Sequence, residues 1–201
     1  EIFFKHVLPK SFRVVVDTKK TSDQIQLFYG VQLSRIIVSG LLPVKPLPTH
    51  DRITNPSPYL LYPAQFWPHK RHVLLLKAFK IVLEKNPELR LVLTGSDKGN
   101  LRHVINVAKQ LGISHAVDFK GFVETTELAN LIADAECIVF PSQLGPSNLP
   151  PLEAAILGTP SLISNVHHDP VLNHPLIQVV RTQLPESWAH EINKLLSQPK
   201  V

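Results

Sequence analysis

Along the chain, short runs of β-branched and apolar residues are followed by stretches in which apolar positions recur with a helical period. Residues 12–16 (FRVVV) predict a strand, residues 21–29 a helix stopped by Gly30, and residues 35–39 (RIIVS) a second strand. Residues 42–58 then carry five prolines. Each removes a backbone donor and fixes φ, so this stretch predicts an extended linker and a domain boundary.

Beyond it the alternation becomes regular. Residues 59–65 predict a strand and 69–85 a helix, with Lys70, Lys77, Lys80 and Glu84 on one face and Val73, Leu76, Phe79 and Leu83 on another. Strands are expected at 90–95, 116–120, 137–140, 161–164 and 177–180, and helices at 99–111, 125–133, 151–157 and 186–196. Such alternation predicts an α/β fold, a Rossmann-like doubly wound parallel sheet preceded by a small β-α-β fragment. The expected division is residues 1–41 as the end of an earlier domain, 42–56 as linker and 57–201 as the doubly wound domain. Right-handed crossovers bring every strand's C-terminal end to one edge, where ligands bind in such sheets.

Composition narrows the chemistry. Of 201 residues 44% are apolar, enough for a sizeable core. A single cysteine forms no internal disulfide and no CxxC clip, which excludes a disulfide scaffold and thiol–metal chemistry. No run is apolar enough to span a bilayer, and the residues after Glu1 do not read as a signal peptide. The chain lacks both a GxGxxG fingerprint and a GxxxxGK[ST] loop, so any phosphate is held another way. Methionine is absent, which an internal fragment of a longer protein, or loss of modified methionines from the sequence, would explain.

Charge is uneven. Residues 1–52 hold eight Lys/Arg against four Asp/Glu, while the whole chain carries +5. That quarter reads as a solvated basic face or as a surface for anionic lipid or phosphorylated ligands. Nucleic acid is not expected, because no basic cluster is interleaved with aromatics. Ten histidines suggest metal, but His69/His72 and His167-His168-Asp169 do not form a three-ligand set with an open position, and no metal is expected.

The segment richest in chemistry is 140–160, FPSQLGPSNLPPLEAAILGTP. An apolar strand ends at Pro141, and a helix begins at Pro150-Pro151. The N–H groups of Ser147, Asn148 and Leu149 then point from a positive helix end, an anion site without a glycine-rich loop. Glu153, expected in the first turn, either complements the helix dipole or accepts hydrogen bonds from a vicinal diol such as a ribose. Lys70 is unusual at a helix start, where the dipole disfavours cations.

These residues resemble the donor-binding signature of retaining family 4 glycosyltransferases of the two-Rossmann-domain (GT-B) type, roughly F-P-S-x-x-E-G-F-G-L-P-P-L-E-A. Leu149-Pro150-Pro151-Leu152, Glu153, Ala154 and Gly158-Thr159-Pro160 match, whereas Gly145 stands where the family has its first glutamate. The loop is similar to a Gly-Pro-[Ser/Thr]-Asn form in a bacterial subset. QFWPHK at 65–70 resembles the family's Arg-Leu-x-x-x-Lys, with Gln65 in place of arginine and Lys70 on the diphosphate-contacting lysine. Gly95 and Gly121-Phe122-Val123 resemble the loops beside the nucleotide.

The resemblance implies transfer of a sugar from a GDP- or UDP-linked donor to a glycan or lipid-linked acceptor, with retention and without a metal or other cofactor. Lys70 would be catalytic, and Gln65, Gly95, Val123, Gly145, Ser147, Asn148, Leu149 and Glu153 would bind the donor. His69, beside Lys70, is a further candidate for phosphate contact. The resemblance also implies that this is the donor half of an enzyme, cytoplasmic and associated with the inner membrane face. The alternative is a non-catalytic nucleotide-sugar binding module, supported by Gly145 and Gln65.

Overall fold

The structure is a computed structural model, and it describes residues 2–40, 48, 57–143, 149–165 and 172–198. The expected linker at 42–56 lies outside the described residues except for Pro48.

The first segment contains helix α1 (Ile2–Val7), strand β1 (Val14–Val16), helix α2 (Lys19–Tyr29) and strand β2 (Ile36–Val38). Thr18 caps α2 by accepting the Thr21 N–H at 3.1 Å, and Gly30 ends it in the left-handed conformation at φ 66. β1 and β2 pair in parallel, Val14 opposite Ile36 and Val16 opposite Val38. Val14, Val16 and Val31 form a small core. α1 was not expected from the sequence, because its six residues are too short to display a period.

The second segment contains β3 (Tyr59–Pro63), α3 (His72–Leu83), β4 (Arg90–Thr94), α4 (Leu101–Gln110), β5 (Val117–Gly121) and α5 (Thr125–Asp134). β6 (Cys137–Phe140), α6 (Leu149–Ile156), β7 (Ser161–Ser164), β8 (Ile177–Val180) and α7 (Pro185–Leu196) complete it. Six parallel strands run in the order β5-β4-β3-β6-β7-β8. Alternate residues of β3 face opposite cores. Leu60 and Tyr62 join the cluster with Phe79, Val104 and Trp188, while Tyr59 and Leu61 join the one with Ile132, Ile138 and Ala154. Burying a side chain such as Phe79 contributes about 2–3 kcal/mol.

The chain moves outward from β3 to β4 and β5, then returns to the other side of β3 with β6. Crossovers therefore diverge between β3 and β6. At such a switch point the C-terminal strand ends open onto a crevice.

Three sequence expectations need correction. The strand expected over 59–65 ends at Pro63, which has no N–H to donate, although Ala64 and Phe66 remain bonded to the end of β4 and the chain beyond it. The helix expected from 69 starts at His72, because Pro68–Lys70 form a 3-10 turn and Arg71 is left-handed at φ 55. The buried face of α3 is His72, Leu75, Leu76, Phe79 and Val82, while Val73 and Leu83 lie at its margin.

Candidate functional site

The end of β3 is fastened to its neighbour before the chain turns. Ala64 N–H donates to Thr94 O and Phe66 N–H to Ser96 O, both at 3.0 Å. Phe66 is fully buried, so its neighbours Gln65 and Trp67 face outward. The Gln65 carbonyl oxygen Oε1 accepts from Trp67 Nε1 at 3.0 Å, which leaves the amide NH2 group to donate elsewhere.

The turn Pro68–Lys70 then holds Lys70 at the switch point. Lys70 N–H donates to Trp67 O at 3.0 Å, and Tyr62 Oη donates to Lys70 O at 2.7 Å. Lys70 Nζ lies 5.4 Å from the centre of the Phe140 ring, at the end of β6. Burial pushes the ammonium below the ordinary lysine value, so charge held here is costly and favours an anionic partner. The loop after β6 is tied to the same turn, with Gln143 N–H donating to His69 O at 2.8 Å. His69 stacks on Trp67, and burial with the adjacent Lys70 lowers its pKa.

Arg71 extends this tie. Its Nε donates to Gln143 Oε1 at 3.1 Å and its Nη1 to Gln183 Oε1 at 2.5 Å, linking the β3, β6 and β8 ends. A left-handed non-glycine backbone persists where surrounding contacts hold it. Below it, His72 is 1% exposed, stacked on Phe66 at 4.5 Å and against Tyr62 at 4.9 Å. Burial pushes its pKa down to about 4, outweighing the pull of the nearby Ala64 backbone toward the charged form.

Gly95 serves by lacking a side chain. At φ +131 a Cβ would overlap the Ala64 carbonyl oxygen and come within 2.6 Å of Ala64 C and 2.8 Å of Gln65 N. Its own N–H donates to Gly121 O at 2.7 Å, which ties β4 to β5. Val123 is half-buried just beyond Gly121, next to the 70% exposed Phe122.

α6 begins at Leu149, so the two prolines take its second and third positions, where an N–H would also lack a helical partner. Glu153 is then the fifth residue, in the second turn rather than the expected first. Its dipole role is correspondingly weaker, since that effect fades within one turn. The half-buried carboxylate has no hydrogen-bond or ion-pair partner among the described residues, and burial raises its pKa. Gly145, Ser147 and Asn148 lie outside the described residues, as do His167, His168 and Asp169. Among the described residues no three metal-ligating side chains converge.

The structure thus brings Lys70, its neighbour Gln65 and the start of the loop after β6, through Gln143, to the ends of β3 and β6, while Leu149 and Glu153 lie on α6. Gly95 and Val123 lie outward at the ends of β4 and β5. A cavity of about 250 Å³ bounded by Pro68, Arg71, His72, Asn100 and His103 flanks the Lys70 turn. Another, of about 640 Å³ and lined by Gln178, Arg181, Glu186, His190 and Glu191, contains none of the expected residues. Sequence reasoning missed Arg71, whose left-handed backbone has no glycine to announce it. It also missed Asp97, which accepts from the N–H groups of Gly99, Asn100 and Leu101 at 2.8–3.1 Å ahead of α4. An Asp before Gly-Asn and an amphipathic run is the readable signal for that cap.

Comparison with known proteins places the chain. Residues 49–201 match the family described as glycosyl transferases group 1. A glycosyltransferase of Methanocaldococcus jannaschii is 32% identical over 120 residues, covering 59% of this chain and 28% of the relative. The D-inositol 3-phosphate glycosyltransferase of Rhodococcus jostii is 27% identical over 215 residues, covering 97% of this chain and 47% of the relative. The chain therefore spans less than half the length of these relatives. Staphylococcus aureus TarM, solved with UDP, has the same fold at a TM-score of 0.78 and 19% identity, over 98% of this chain and 39% of TarM. No described helix is long and apolar enough to cross a membrane. The match to the family covers most of the chain, including the whole six-stranded sheet, and the protein belongs to the group 1 glycosyltransferases.

Proposed function

We propose that this chain supplies the donor half of a retaining glycosyltransferase, similar to family 4, that moves a hexose such as mannose from a nucleotide-diphosphate sugar to a glycan or lipid-linked acceptor. One observation carries the reading: Lys70, a half-buried cation, is held at the β3/β6 switch point by Tyr62 and by the loop that leads into α6.

In this reading the glycosidic bond breaks toward the diphosphate, and Lys70 stabilises the negative charge that develops there. The Gln65 amide and the N–H of Leu149 add neutral donors, and Gly95 keeps the backbone that carries Gln65 packed against the end of β4 beside the ligand. Glu153 accepts both hydroxyls of the ribose, and Val123 lies against the base through its backbone. Gly145, Ser147 and Asn148 complete the sugar end. Lysine and the helix end take the place of a metal, so transfer persists in a chelator. The remaining half of the protein binds the acceptor, at the inner face of a cytoplasmic membrane that the basic residues of 1–52 favour.

Calorimetric titration tests this directly. UDP or GDP is expected to bind at micromolar to millimolar concentration, and Lys70→Ala to weaken nucleotide diphosphate and inorganic pyrophosphate alike by about tenfold or more. Absence of heat with both nucleotides defeats the reading. Gly145 and Gln65 favour a second reading, a nucleotide-sugar module without turnover. Donor binding by the full-length protein with neither transfer nor donor hydrolysis would select it.

A further inference from the structure

The outward-facing aromatic beside Lys70 has no role in the site as derived so far. Trp67 is 41% exposed, whereas the chain's other tryptophan, Trp188, is fully buried. An indole left in water at a crevice forfeits burial that tryptophan usually gains.

Its position is nevertheless fixed. Pro68 follows, which confines residue 67 to extended backbone, observed at φ -86 and ψ 147. Phe66 is anchored in the core, so the next side chain must face the opposite way. The indole N–H donates to Gln65 Oε1 at 3.0 Å, and the His69 ring lies near-parallel at 6.1 Å and 21°. Trp67 is the N-cap of the turn that ends at Lys70, and its carbonyl oxygen accepts the Lys70 N–H at 3.0 Å, so the two residues are held in one turn.

We propose that Trp67, braced by Gln65 and His69, is a stacking platform for the pyranose ring of a sugar bound next to Lys70. The C–H face of a pyranose is weakly positive and apolar, which suits the negative face of an indole. Prior immobilisation means that stacking costs little additional side-chain entropy. Burial and Lys70 both hold His69 toward its neutral form, so the plate beneath the indole stays uncharged. The sugar is either that of the donor or that of the acceptor; both present the same ring chemistry. This inference rests on the donor reading only for the location of the neighbouring diphosphate.

Because Trp188 is buried, a ligand-induced emission change selective for sugar reports Trp67, and Trp67→Phe supplies the control. The expected result is saturable quenching by UDP-glucose or GDP-mannose beyond that from UDP or GDP if the ring is the donor's. Quenching by a free glycan with nucleotide already bound assigns it to the acceptor. Trp67→Ala should weaken the responsible sugar ligand by about five- to tenfold, leave nucleotide diphosphate within about twofold, and recover partly in Trp67→Phe. Equal weakening of nucleotide and nucleotide sugar, or no effect on any sugar ligand, overturns the platform. Failure of nucleotides to bind defeats the donor reading instead; glycan quenching without nucleotide would then uphold the platform, and its absence would overturn it.

Discussion

Arg71 offers a prediction in which two effects of opposite sign can be separated. Its left-handed backbone, at φ 55, costs about 1–2 kcal/mol in a residue with a Cβ. Its guanidinium returns two hydrogen bonds to neutral amides, at 3.1 Å to Gln143 and 2.5 Å to Gln183. Each contributes about 0.5–1.5 kcal/mol, the exposed one at the lower end. Arg71→Ala loses both bonds and keeps the strain. Arg71→Gly loses both bonds and relieves it, less about 0.5–1 kcal/mol for the entropy of glycine in the unfolded chain. Urea denaturation should therefore find Arg71→Gly more stable than Arg71→Ala by about 1 kcal/mol, with both below the wild type. Affinity for UDP or GDP, by contrast, should fall equally in the two variants, by about three- to tenfold, because both release the loop after β6. Equal or greater stability for Arg71→Ala would refute the backbone argument, and unchanged nucleotide affinity would refute the tie.

Two further substitutions probe the frame around the site. Gly95→Ala should destabilise the protein by at least about 2 kcal/mol, because its Cβ meets the Ala64 and Gln65 backbone. Gly121→Ala, with a positive φ but open space around it, should cost visibly less in the same denaturant titration. For His72, a folded pKa lowered from 6.5 to about 4 means that the unfolded chain binds the proton first. Stability present above pH 6.5 is then lost as pH falls toward 4, by up to about 3 kcal/mol. His72→Phe should keep the stacking on Phe66 and abolish that part of the acid sensitivity in midpoints measured across the window.

The order of elements was readable because their patterns are strong. Strands 137–140, 161–164 and 177–180 fall where expected, most plainly CIVF at 137–140, a strand in the middle of the sheet whose four residues are all apolar and buried. The turn at Pro68–Lys70 was not readable. A helical period began near residue 69, but Arg71 adopts a conformation that only its tertiary partners impose. The same holds for the buried face of α3. His72 is counted polar by any sequence pattern, yet it fills the space between two aromatic rings. Lys70 and Glu153 stand out in the sequence as a cation near an expected helix start and a motif-bound carboxylate; the structure puts Lys70 in the turn before α3 and Glu153 in the second turn of α6. Arg71, Gln143 and Gln183 were missed because their link joins residues 72 and 112 positions apart in the chain.

In the proposed donor site Glu153 accepts the ribose diol beside a diphosphate held by Lys70. Calorimetry of Glu153→Ala with UDP and, separately, with pyrophosphate tests it most directly. Loss of a charge-assisted hydrogen bond predicts about a tenfold or greater weakening of UDP and unchanged binding of pyrophosphate. Equal weakening of both ligands, or of neither, would contradict it.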